Sequence, residues 1–130
     1  MHRADQYVAD LVEMAFIAGG FKPIKKTFAT NGGGRCAIGA IAKGMDEAVP
    51  ILGRSFTFCY GVTVGFDSFG EIWCLDYAER DLRMFQKRNG TKTADDFSRG
   101  FRCGYEIARR MFSKAKTERA CSSVAVGANR

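Results

Sequence analysis

The hydrophobic and polar positions along the chain predict amphipathic helices near both ends. Apolar residues recur at helical spacing over residues 4–18, and the glycine pair Gly19-Gly20 is a typical helix end. Similar apolar stripes run through residues 71–88 and through a last helix that begins near Thr93. Thr93 with Asp96 three residues later forms a relaxed capping box for that last helix.

Residues 55–66 show the clearest alternation of large apolar and small side chains, with a period of two. This pattern favours a β-strand with one face against the core. A lone strand is not stable, so it needs a partner, which residues 24–30 or 69–75 would supply. The glycines Gly61 and Gly65 leave a loop open as the alternative.

Between these segments a glycine run, Gly32-Gly33-Gly34, leads into a short helix predicted from about Arg35 to Lys43. The small residues Gly39 and Ala40 would let another helix approach this one closely. The whole pattern predicts an α-dominant α+β fold, in which three to four helices pack on a short β-element.

The chain has 130 residues, a length typical of one domain. We expect a single globular domain over residues 1–116 and a mobile tail over residues 117–130, which are small, polar and without periodicity. The N-terminus has no apolar run behind a basic start, and no window approaches ~20 apolar residues. The sequence therefore predicts a cytoplasmic protein with no membrane partner.

Positive charge is concentrated in one part of the chain. The net charge is +6, and residues 80–119 hold twelve Lys or Arg against five Asp or Glu, a net of +7. This basic surface is predicted to bind an acidic protein or nucleoprotein, and direct binding of nucleic acid is the alternative. A solvated face of two helices explains the charges equally well. The candidate partner-binding residues are Arg80, Arg83, Lys87, Arg88, Lys92, Arg99, Arg102, Arg109, Arg110 and Lys114.

A third hypothesis is a small enzyme or anion-binding protein that uses the glycine run. Backbone N–H groups of Gly32, Gly33 and Gly34 and the charge of Arg35 are suited to an anion, and Cys36 at a helix N-terminus is a candidate nucleophile with a lowered pKa. The run lacks the Lys-Ser/Thr pair of phosphate-binding loops, and no catalytic base is evident near the thiol. An ordinary turn and a buried structural cysteine are the alternative.

No metal or cofactor is expected. The five cysteines are widely spaced without a Cys-x-x-Cys pair, and the only histidine is His2. Most of the cysteines are expected to be small buried hydrophobes. Asp67, Glu71 and Asp76 lie close in sequence, but they lack the spacing of a calcium loop, and a solvated turn explains them as well.

The stretch from Arg35 to Ile41, Arg-Cys-Ala-Ile-Gly-Ala-Ile, resembles a signature of small, mostly uncharacterised bacterial and phage proteins. Those proteins carry Cys-Ala-Leu-Gly-Ala after a helix and a flexible loop, and here Ile38 replaces the usual Leu. The resemblance implies a small accessory protein, phage-encoded or bacterial, of a kind that often binds host machinery, including defence complexes. It assigns no functional residue, and the leading hypothesis stays a non-enzymatic binding protein.

Overall fold

The computed structural model describes residues 1–70, Arg83, Lys87 and residues 90–128. Within these residues the chain forms five helices and one pair of short strands, so the α-dominant α+β class is confirmed, but the helix count exceeds the three to four predicted. The elements are α1 (Arg3–Gly19), β1 (Lys22–Pro23), β2 (Gly34–Arg35), α2 (Ala37–Ile41), α3 (Met45–Leu52), α4 (Phe56–Ser68) and α5 (Thr91–Ala128). The helix predicted over 71–88 lies outside the described residues, apart from Arg83 and Lys87, which are both helical.

Helix α1 forms where the apolar spacing predicts it. Val8, Val12 and Phe16 recur every four residues and are buried in the core. Gly20 ends the helix in a left-handed conformation, with φ of 63°, and its N–H donates to carbonyl groups of the last turn. This is the termination expected of a glycine just beyond a helix.

The small sheet is built from the connector and the glycine run. Strand β1 pairs in parallel with β2, with Lys22 opposite Gly34 and Pro23 opposite Arg35. Pro23 has no N–H to donate, and the ladder bonds come instead from the N–H groups of Lys22 and of Ile24. The β-element therefore closes the loop before α2 and involves no part of residues 55–66.

Residues 55–66 form most of helix α4, so the predicted strand is wrong. Ser55 caps this helix, because its Oγ accepts a hydrogen bond of 3.2 Å from the N–H of Phe58. Phe58, Val62 and Phe66 recur every fourth residue and are buried, which is the spacing of a helix face as well as of one strand face. The spacing of the large apolar residues is therefore consistent with a strand and with a helix, and the packing of the segment against other helices selects the helix.

Four glycines at the contact between α4 and α5 explain why this segment is a helix. Gly61 and Gly65 on α4 face Gly100 and Gly104 on α5, so each helix carries a Gly-x-x-x-Gly pair at the crossing. A Cβ atom added to any of the four would overlap a backbone carbonyl oxygen of the opposite helix. The two backbones are therefore in direct contact, an approach that only glycine permits and that weak Cα–H···O contacts favour.

The core lies around this crossing and is rich in aromatic rings, as the composition suggests. Phe66 of α4 stacks on Phe16 of α1 with 6.0 Å between ring centroids, and its ring also lies 5.4 Å from that of Phe112 of α5. Helix α2 contributes Ala37 and Ile38, both fully buried. These contacts place α1, α2 and α5 around α4.

The predicted close approach over Gly39 exists, but it is not made by a helix. A Cβ added to Gly39 would overlap the carbonyl group of Phe28, in the connector between β1 and β2. Gly39 therefore lets the connector lie directly on α2. The expectation of a helix at this position is wrong.

Helix α5 begins at Thr91, before the predicted start. Thr93 therefore lies inside the helix, and the predicted capping box is wrong. Asp96 instead accepts a hydrogen bond of 3.0 Å from the Oγ of Ser55, which joins α5 to the cap of α4. The bounds of α5 reach into residues 117–130, whose mobility stays a prediction, as does the domain limit at residue 116.

We expect Gly65→Ala to destabilise the protein by about 2 kcal/mol or more, because the new methyl group overlaps the backbone of α5 and overpacking outweighs the gain in helix propensity. Urea unfolding measures the change. Gly32→Ala is the matched control, since nothing lies within 4 Å of the added Cβ there, and its effect should stay within about 0.5 kcal/mol. Equal stability of Gly65→Ala and the wild type would contradict the close crossing.

Candidate functional site

A buried carboxylate on α1 binds one basic residue of α5 and one from the segment between α3 and α4. Asp5 of α1 has only 2% of its side chain exposed, and the guanidinium of Arg99 donates two hydrogen bonds of 2.9 Å to its two oxygens. Arg54, between α3 and α4, lies 3.9 Å from the same carboxylate. Hydrogen bonding to Asp5 raises the pKa of Arg99, so this cation stays charged. One carboxylate therefore connects three parts of the chain.

A second ion-pair cluster joins the same two helices further along. Arg110 of α5 donates to Asp10 at 2.7 Å and to Glu13 at 3.0 Å, both on α1, and to Glu106 at 3.1 Å on its own helix. Burial lowers the pKa of Arg110, but hydrogen bonds to these carboxylates raise it overall. Only 18% of the Arg110 side chain is exposed. Arg99 and Arg110 therefore both lie between α5 and α1.

Arg109 belongs to this cluster but points outward. Its guanidinium forms two hydrogen bonds, of 2.8 and 2.6 Å, with Glu106 three residues earlier, and 56% of its side chain is exposed. The bond from Arg109 is the main reason that the pKa of Glu106 is lowered. Exposed pairs of this kind are worth little, so Arg109 can exchange Glu106 for another carboxylate at small cost.

The other candidate partner-binding residues differ in their exposure and in whether the structure describes them. Lys92 and Arg102 of α5 are exposed, and neither forms an ion pair with a residue that the structure describes. Arg83 and Lys87 are exposed and helical, and they lie four positions apart. Arg80 and Arg88 lie outside the described residues, as does the side chain of Lys114. For all of these residues partner binding stays a prediction.

Arg102 borders a shallow hollow on α5. The hollow is about 200 Å³ and is lined by Phe101, Arg102, Tyr105 and Glu106. This volume is below the ~300–1,000 Å³ typical of small-molecule sites. A cation beside half-buried aromatic rings is instead common in surfaces that contact proteins.

Two of the three N–H groups in the glycine run, those of Gly33 and Gly34, are bonded within the loop. The N–H of Gly33 donates to the carbonyl of Thr30 at 3.2 Å, and the N–H of Gly34 donates to the hydroxyl of the same residue at 3.0 Å. The guanidinium of Arg35 lies 4.7 Å above the ring of Phe21 and donates to loop carbonyl groups. These groups are occupied in holding the loop together, as expected of an ordinary turn.

The thiol of Cys36 is not activated. It is 2% exposed, its Sγ accepts from the N–H of Gly39 at 3.4 Å, and burial raises its pKa. The predicted lowering of this pKa is therefore wrong. Burial also raises the pKa of Cys59, and it raises that of Cys103 to about 12. These three cysteines are buried hydrophobes, as the sequence suggested, while Cys74 and the side chain of Cys121 lie outside the described residues.

Of the three acidic residues in the predicted cluster, the structure describes only Asp67. Its carboxylate accepts a hydrogen bond of 2.9 Å from the N–H of Lys26, which fixes the connector against the end of α4. Glu71 and Asp76 lie outside the described residues. Among the residues that are described, no group of three or more His, Cys, Asp or Glu side chains is arranged to hold a metal ion.

The ion pairs of Asp5 were not predicted from the sequence. A signal was present, because Asp5 lies three residues before Val8 and seven before Val12, on the apolar face of the helix. A carboxylate on a buried face requires a cation as partner. That requirement points to a basic residue from elsewhere in the chain, although not to Arg99 in particular.

Comparison with protein-family models, with curated proteins and with solved structures finds no match to this chain. In the part of the chain that the structure describes, none of the helices combines the length and the apolar character needed to cross a membrane.

We expect Asp5→Ala to lower the free energy of unfolding by about 2 kcal/mol or more, because it leaves Arg99 and Arg54 without their shared carboxylate. Urea unfolding checks this, with Asp46→Ala, at an exposed first-turn position of α3, as the control that should lose less than about 1 kcal/mol. A loss no larger than that of the control would show that the buried pair does not hold α1 on α5.

Proposed function

We propose that this chain is a non-enzymatic binding protein that contacts an acidic protein or nucleoprotein partner through exposed basic residues of its C-terminal third. The observation that carries the proposal is the position of Arg102. It is exposed on α5, it forms no ion pair with the described residues, and it borders aromatic rings. Its neighbours along the helix, Arg99 and Arg110, are occupied in holding α1.

The proposed contact residues are those with outward side chains. On α5 these are Lys92, Arg102 and Arg109, and the exposed helical pair Arg83 and Lys87 adds two more positive charges. Exposed charges of one sign steer an oppositely charged partner toward the surface and raise the association rate. Arg102 and Arg109 lie two turns apart on a rigid helix, so both can meet carboxylates of one partner at small entropic cost.

Arg99 and Arg110 are not proposed to contact the partner directly. They are positioning residues, because their ion pairs with Asp5, Asp10 and Glu13 hold α5 against α1. Substituting them changes stability first, so a loss of binding in such variants would not identify a contact. The binding test therefore belongs at Arg102, where the substitution breaks no ion pair with a residue that the structure describes.

The seven-residue resemblance around Cys36 supports an accessory protein of phage or bacterial origin, acting in the cytoplasm of a bacterial or phage-infected cell. The acidic partner is then a component of host machinery or of a defence complex. The buried thiol of Cys36 and the occupied N–H groups of Gly33 and Gly34 favour a binding protein over the enzyme hypothesis. No cofactor takes part in the proposed contact.

The proposal predicts that a partner protein co-purifies with the tagged chain from host-cell extract. Arg102→Glu should weaken binding of that purified partner about tenfold, measured by isothermal titration calorimetry at physiological salt, because one favourable charge contact becomes repulsive. Lys43→Glu is the matched control, since it makes the same charge change at an exposed position between α2 and α3. Its affinity should equal that of the wild type.

Two results would contradict the proposal. An equal loss in Lys43→Glu and Arg102→Glu would show that only net charge matters and that α5 provides no specific contact. Tight binding of random-sequence DNA or RNA at low salt, falling steeply as salt is raised and competing with the protein partner, would instead favour the nucleic-acid alternative.

A further inference from the structure

A row of aromatic rings on α5 ends at the protein surface. Phe97, Phe101 and Tyr105 recur every four residues, and the centroids of neighbouring rings lie 6.4 Å apart in both pairs. Phe97 is buried, whereas Phe101 and Tyr105 are half-buried. The ring of Phe69, just beyond α4, meets that of Tyr105 edge-on at 5.3 Å. The two outer rings are therefore held by aromatic neighbours, and part of their surface remains accessible.

The shallow hollow on α5 lies at these two outer rings. Its lining is mostly apolar, and its volume is about 200 Å³. An apolar cavity of about 150 Å³ is large enough to hold one benzene molecule. The hollow therefore has room for one side chain of the size of leucine or phenylalanine, and it is too small for a cofactor.

A charged row runs beside the aromatic row. Its members, Arg102 and Glu106, are four residues apart and are therefore neighbours on the helix surface. Glu106 already accepts hydrogen bonds of 2.8 and 2.6 Å from Arg109, and it accepts one of 3.1 Å from a second guanidinium of the same helix. Arg102 is exposed and forms no ion pair with a residue that the structure describes. The unmatched charge beside the rings is therefore positive.

We propose that the hollow receives one apolar side chain of the partner protein, while a carboxylate next to that side chain pairs with Arg102. This contact rests on the proposed function, and it defines what the partner must display: an exposed leucine- or phenylalanine-sized residue beside Asp or Glu. Covering the rings removes water from around Arg102, which strengthens its attraction to the carboxylate. Aromatic and arginine side chains at the centre of protein interfaces contribute much of the binding energy.

The charge of Glu106 favours a protein segment over nucleic acid at this position. Successive phosphates along a nucleic-acid strand would bring negative charge close to Glu106 as well as to Arg102. A protein segment can place a single carboxylate beside Arg102 and leave apolar groups near Glu106. Its apolar side chain also fills the hollow without leaving polar edges unpaired, as a nucleobase would.

Titration of the full chain with phenylacetate, followed by nuclear magnetic resonance, tests the proposal, because this probe carries one ring and one carboxylate. The amide signals of the residues that line the hollow should shift saturably, with a Kd in the millimolar range expected of so small a ligand. Two matched probes separate the ring from the charge, since acetate has no ring and phenethylamine is positively charged. Each should bind at least about fivefold more weakly than phenylacetate.

Two variants test the part that Arg102 plays in this binding. Arg102→Met should weaken the binding of phenylacetate about fivefold, the size of a partly exposed ion pair, and should remove its advantage over phenethylamine. Lys43→Met is the matched control, since it removes one exposed positive charge between α2 and α3, and its affinity should equal that of the wild type. The dispersion of the amide signals shows whether each variant is folded.

Four results would overturn the proposal. They are the absence of a saturable shift with phenylacetate, equal binding of acetate or phenethylamine, an unchanged affinity in Arg102→Met, and an equal loss in Lys43→Met. Tighter binding of adenosine monophosphate would assign the hollow to nucleic acid instead. Shifts of the same signals that depend on protein concentration alone would assign it to a second copy of the chain.

The outcome for the hollow is separate from that for the proposed function. If none of the probes binds but Arg102→Glu still weakens binding of the purified partner, only the proposal for the hollow fails, and Arg102 acts as a charge alone. If phenylacetate binds as expected but no partner is retained by the tagged chain, the proposed function fails.

Discussion

The fold depends on the contact between the backbones of α4 and α5. Gly61 and Gly65 meet Gly100 and Gly104, and no side chain separates the two helices at the crossing. Because α5 is held this close, Phe66 reaches both α1 and α5, and the aromatic core closes around it. The same contact fixes the rotation of α5 about its axis, and that rotation decides which of its arginines face inward and which face solvent.

The rotation of α5 divides its positive charges into two groups with different roles. Arg99 and Arg110 face α1 and neutralise carboxylates there, including the buried Asp5. Arg102 falls between them in sequence but is rotated by about 60° around the helix axis from Arg99, and its side chain is exposed. A net charge of +6 is therefore a poor measure of the surface that a partner meets, since part of the positive charge holds the molecule together.

Local patterns predicted α1, its glycine end and the position of the short α2, because each depends on neighbours within a few residues. The prediction failed over residues 55–66, where the alternation of large and small residues favoured a strand and the glycines left a loop as the alternative. Gly61 and Gly65 are spaced four residues apart, as are Gly100 and Gly104, and that shared spacing was the available signal for a helix crossing. The ion pairs that join α1 to α5 connect residues 94 to 100 positions apart, so they could not be assigned without the fold.

The close crossing of α4 and α5 is tested most directly by nuclear Overhauser effects between the Hα protons of the four glycines. We expect cross-peaks between the glycine Hα protons of α4 and those of α5, together with helical chemical shifts throughout residues 56–68. Extended chemical shifts over that segment, or helical shifts without any glycine Hα contact between α4 and α5, would contradict it.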